Sequence, residues 1–212
     1  VLSTLAAVYT AWTWLRAPDD LSGRPFWVIS LAALAMAASL RGNPTGAAAW
    51  GAVMILGGGA LFLHSIQNLW LNRALMIAAF ALSGLPFSIT ASGWEIGTGS
   101  FFLAWPLQFA AHALLLAGFV RHALRPGLRD NPEALPLWTR NVYPAGIGLL
   151  LLTVLVLGVI GWEGAGRFGA WAPALGVSIL GILLIWLTPR LRILNPIRAH
   201  WVRPSGGRLQ TG

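Results

Sequence analysis

An all-helical membrane bundle is the fold class this sequence predicts, and three observations predict it. Hydrophobic residues make up 57% of the 212 positions and charged residues only 9%, too few to solvate the surface of a water-soluble domain. Apolar stretches close to the ~20 residues that cross a bilayer recur along almost the whole chain. Short turns rich in Gly, Pro and Arg separate them. The pattern predicts about seven transmembrane helices within residues 1–188, one of them broken at Gly84 to Pro86, followed by a basic tail over 189–212.

The first segment, about Leu2 to Leu15, ends at Trp14 and Arg16, an indole and a guanidinium that suit the membrane edge. The chain begins at Val1 inside this apolar run, so a further segment is expected to precede it. A polar turn from Ala17 to Pro25 leads to a second segment reaching about Leu40, and Arg41 to Gly46 forms the next turn. The third segment, about Ala47 to Ile66, contains Gly57-Gly58-Gly59, which in lipid permits a close helix crossing. His64, Ser65, Gln67 and Asn68 cluster at its end, as an interfacial cap or the lining of a polar cavity.

The fourth segment, about Arg73 to Ile89, is interrupted by Ser83-Gly84-Leu85-Pro86. Proline lacks an N–H and its ring crowds the preceding turn, so the helix must break or kink there. In hydrocarbon such a break persists only where protein or water covers its backbone groups. Thr90, Ser92 and Glu95 follow, in a chain with only six carboxylates. The fifth segment, about Phe101 to Val120, carries Gln108 and His112 one turn apart on one face. An imidazole at that depth is costly unless it has a partner.

After an Arg- and Pro-rich connection from Arg121 to Asn141, the sixth segment, about Val142 to Ile160, contains the aliphatic run Leu149 to Leu157, which holds no titratable group. The seventh runs from about Trp171 to Leu187, with Pro189 expected to end it. The tail mixes Arg190, Arg192, Arg198, Arg203 and Arg208 with apolar residues, a composition that suits anionic lipid or another subunit.

All 14 basic side chains counted in the net charge of +8 are arginine, and this excess reports topology rather than nucleic-acid binding. Alternation from a cytoplasmic tail places every arginine except Arg41 and Arg167 on the cytoplasmic side, with Val1 outside. This orientation matches a bacterial inner membrane protein. The tryptophans then fall into two interfacial belts, Trp14 and Trp27 in the inner one and Trp50, Trp94 and Trp162 in the outer.

No cysteine is present, which excludes thiol catalysis, disulfides and thiolate metal sites. No spacing supports a nucleophile with its base, a phosphate loop or a metal pair on one helix, so neither an active site nor a cofactor is expected. Haem ligation would need His64 and His112 at one depth across a shared gap, because His122 and His200 sit at charged edges.

At the break, Ala81-Leu82-Ser83-Gly84-Leu85-Pro86 resembles the A-L-x-G-L-P-P segment of the antiporter-like membrane subunits of complex I, membrane-bound hydrogenases and Mrp-type antiporters, with Phe87 in place of the second Pro. Gly118-Phe119-Val120-Arg121 is similar to the aromatic-Arg end of that family's next helix, and Asp20 to Arg24 and Ala60 to Leu63 sit where the family has an Asp with basic residues and a Leu-Phe-Leu run. The resemblance covers most of this chain and the C-terminal half of a typical member. It implies a proton path along titratable side chains, and Glu95 is the one residue it carries over, as the exchange group; if the break at Gly84 to Pro86 opens such a path, His112 and His64 would be its carriers and Gln108, Thr90 and Ser92 would orient water. The family lysine would fall near Gly58, and this chain has no lysine. The expectation is therefore a subunit of a larger energy-converting complex with an incomplete proton path, whose partners are other membrane subunits and lipid. The alternatives are a purely structural scaffold of a respiratory or photosynthetic complex and an independent secondary transporter.

Overall fold

A computed structural model describes residues 1–62, 69–94, 104–124, 137–166 and 171–193. Among them all regular structure is helical: α1 (Leu2–Arg16), α2 (Asp20–Leu40), α3 (Pro44–Phe62), α4 (Leu69–Ala81), a 3-10 helix (Ile89–Trp94), α5 (Ala104–Ala123), α6 (Leu137–Val156) and α7 (Trp171–Ile193). Three described helices are long and apolar enough to cross a membrane, Asp20–Leu40, Pro44–Phe62 and Pro144–Gly161. The molecule is a helical membrane protein on that ground.

The other expected spans do not reach that length and hydropathy within the described residues. With 15 and 13 residues, α1 and α4 extend about 22 and 20 Å, short of a ~30 Å hydrocarbon core. α5 has 20 residues, but Gln108, His112, Arg121 and His122 lower its hydropathy. The apolar part of α7, Ala172–Leu187, is shorter.

Helix boundaries differ from the sequence pattern where caps or packing decide them. α2 starts at Asp20, inside the expected turn, because the Asp19 carboxylate accepts the Ser22 N–H at 2.7 Å and caps the first turn. The helix then runs through Pro25. α7 likewise continues through Pro189 to Ile193 instead of ending there.

The core lies among α1, α2, α3 and α5, with α7 packed on α5 and α6 on α4. α1 approaches α2 closely enough for the buried Ser30 hydroxyl to donate to the Ala7 carbonyl at 2.9 Å. On α3 the glycine run makes the expected close crossing: a Cβ at Gly58 would lie 2.8 Å from Trp27 Nε1, and that indole donates to the Met54 carbonyl at 3.2 Å. Trp14, Trp27 and Trp50 have no exposed surface, so these three are core packing residues instead of members of headgroup-facing belts. The faces of α6 and α7 that carry Leu149, Leu152, Ile179 and Ile182 point outward, as lipid-facing apolar side chains do.

Candidate functional site at the helix break

α4 ends at Ala81, and Gly84 turns the chain at φ +75°, a left-handed conformation that costs an L-residue about 1 kcal/mol or more. Phe87 adopts φ +66° with a side chain, so this turn is strained, and its N–H is held by the Ala165 carbonyl at 2.6 Å. The Phe87 carbonyl faces α6 where that helix widens into a π turn, Leu157–Gly161. A Cβ at Gly158 would collide with that carbonyl oxygen, so the glycine is what admits the break against α6.

Each carbonyl left free at the end of α4 finds a donor. Ala78 and Ala79 accept from the Leu82 N–H, and Phe80 accepts from both the N–H and the hydroxyl of Ser83, at 2.9 and 2.7 Å. The Ala81 carbonyl accepts from the Thr90 hydroxyl at 3.0 Å, and the Thr90 oxygen in turn accepts from the Gly84 N–H at 3.0 Å. His112, reaching in from α5, donates from Nε2 to the Leu82 carbonyl. Thr90 and His112 are therefore C-terminal caps for α4, supplied from outside the helix.

The far side of the break is closed the same way. Trp94 donates its indole N–H to His112 Nδ1 at 3.1 Å and stacks on the imidazole at 5.7 Å, while Trp50 meets the ring edge-on at 4.9 Å. An indole N–H only donates, so Nδ1 is unprotonated and His112 is the neutral Nε2–H tautomer. Gln108 donates to the Gly93 carbonyl at 2.9 Å, Asn43 to the Ser92 carbonyl at 2.8 Å, and Trp162 to the Ser92 hydroxyl at 3.2 Å. Ser92 passes its own hydroxyl hydrogen to the Ile89 carbonyl at 3.1 Å. Among the described residues, Gln108 Oε1, Ser88 Oγ and Trp50 Nε1 are the buried polar atoms of this region without a partner.

Four of the six sequence-predicted path residues, Thr90, Ser92, Gln108 and His112, thus converge on one buried cluster. Glu95 and His64 lie outside the described residues. His112 has no nitrogen left for a haem iron, since one donates and the other accepts within the protein. Asn43, Trp94 and Trp162 complete the cluster and were not legible as parts of it: Asn43 and Trp162 join from turns remote in sequence, and Trp94, two residues after Ser92, reads in sequence as a member of the outer tryptophan belt.

A second buried histidine sits in the last turn of α5. His122 stacks on Trp14 at 4.0 Å and 28°, with Nδ1 2.5 Å from Asp20 Oδ1 and Nε2 3.1 Å from the Trp14 carbonyl. The ring is wholly buried while Asp20 is 30% exposed. The sequence placed His122 at a charged edge; the fold closes it inside the corner of α1, α2 and α5. Nearby, Arg24 donates to the Phe62 carbonyl at 3.3 Å, capping α3, and lies 4.9 Å from the Phe62 ring.

Among the described residues no group of three or more His, Cys, Asp or Glu is placed to hold a metal ion. The chain matches no protein-family model, and no curated protein or solved structure is significantly similar to it.

Proposed function

We propose that this chain is a membrane subunit held in a larger energy-converting complex, with an antiporter-like broken helix that works as a fixed joint and not as a proton gate. The class rests on the resemblance of Ala81 to Pro86 to antiporter-like subunits. The fixed joint rests on one observation, that both ring nitrogens of His112 are engaged in closing the break. A proton carrier needs a nitrogen that can take up a proton and release it to a neighbour. Protonating Nδ1 here would set two donors against each other, His112 and Trp94, in a buried site.

The experiment is proton uptake by the intact complex reconstituted in vesicles, comparing the wild type with Glu95→Gln and His112→Gln. Uptake unchanged per assembled complex in both variants supports the joint. Uptake abolished by either, with assembly intact, overturns it. Mass spectrometry of the same preparation identifies the partner subunits: redox or hydrogenase subunits support the energy-converting assignment, and photosynthetic ones replace it with a scaffold role there.

A further inference from the structure

His122 poses a problem of proton count. Nε2 faces the Trp14 carbonyl and Nδ1 faces the Asp20 carboxylate, and neither partner in its ordinary form can donate. A neutral imidazole carries one N–H, enough for one of these two contacts. Whichever nitrogen lacks the proton, a ring lone pair would face an oxygen lone pair in a buried place, on the Asp20 carboxylate at 2.5 Å or on the Trp14 carbonyl at 3.1 Å. The pair therefore contains one proton more than a neutral imidazole with a carboxylate. The stacking of Trp14 on the ring at 4.0 Å favours the imidazolium form, because an indole face attracts a cation.

We propose that Asp20 and His122 form a proton-binding site at the corner of α1, α2 and α5, open to water through the exposed edge of Asp20. The ligand is a proton taken from water. Three helices meet on it: α1 through the Trp14 carbonyl, α2 through Asp20 and α5 through His122. Of the other charged groups on these elements, Arg16 lies over the Trp12 ring at 5.5 Å, Asp19 caps α2 and Arg24 bonds the Phe62 carbonyl, while Asp20 and Arg121 each make a further interaction within the protein. The site is independent of the helix break, where His112 already has one donor and one acceptor and needs no added proton.

Asp20→Asn separates this site from a merely structural contact. A carboxamide N–H at that position can donate to Nδ1, so a neutral His122 with Nε2–H satisfies both contacts with one proton fewer. Full-length protein with 15N-labelled histidine, in lipid bilayers at neutral pH, gives solid-state spectra in which His122 is assigned through its loss in His122→Gln. The expected result is a His122 with both ring nitrogens protonated in the wild type, converted to a single-N–H ring in Asp20→Asn. If the proton resides on Asp20 instead, the wild type shows a protonated-carboxyl infrared band that Asp20→Asn removes, which supports the site equally. A neutral His122 in the wild type without such a band overturns the proposal.

Discussion

His112 and His122 stand on the same helix, one near its middle and one in its last turn, and both are buried to within 1% of full burial. Their partners divide them. His112 lies between a donor, the Trp94 indole, and an acceptor, the Leu82 carbonyl, so its neutral ring fits without remainder. His122 lies between two acceptors, which the single N–H of a neutral ring cannot both satisfy. A buried histidine is therefore not a proton carrier by virtue of depth alone; what decides is whether its two neighbours match or oppose its neutral form. Deep in the bundle the match is complete, and at the corner, beside a half-exposed carboxylate, it is not.

Substitutions can break this contrast, and the largest effect belongs to the closed site. His112→Ala leaves the Leu82 carbonyl and the Trp94 indole unpaired in the core and opens a cavity, a loss of about 4 kcal/mol. Reversible unfolding of the full chain in mixed micelles, followed by tryptophan fluorescence, measures it. In the same assay Gly158→Ala forces α6 away from the Phe87 carbonyl and costs about 3 kcal/mol. Thr90→Val keeps the shape and deletes one hydroxyl that serves both Ala81 and Gly84, for about 2 kcal/mol. The smallest effect is expected at the corner. Asp20→Asn retains a contact to His122 and replaces a partly exposed, water-screened charge, so stability falls by only about 0.5 kcal/mol. A loss at Asp20 as large as that at His112 would erase the distinction between the two sites.

The break itself was legible in the sequence, since Gly84 and Pro86 are residues that stop a helix by their own covalent structure. Which residues would close it was half legible. Thr90, Ser92, Gln108 and His112 stood out as polar groups in apolar surroundings, but the same property fits water-orienting residues of a path and caps of a helix end. Only the distances separate those roles, and here Thr90 and His112 cap α4 while Gln108 and Ser92 tie down the 3-10 helix. The His122–Asp20 pair was illegible for a different reason. The two residues are brought together by the packing of α1 against both α2 and α5, which no local pattern encodes. Tryptophan misled in the same way: an indole reads as interfacial by composition, yet Trp14, Trp27 and Trp50 fill the core because glycines at 118, 58 and 93 leave room for them.

Amide hydrogen exchange over Leu82 to Trp94, measured on the full chain in lipid nanodiscs, tests the closed joint most directly. A helix break whose backbone groups are all held by protein exchanges on the timescale of the flanking core, and the N–H groups of Gly84, Phe87, Ser88 and Ala91 are each bonded within the protein. The account predicts protection at these amides comparable to that of Ala111 to Ala117 on α5. Exchange within seconds, while α5 remains protected, would mean that water fills the break and would contradict it.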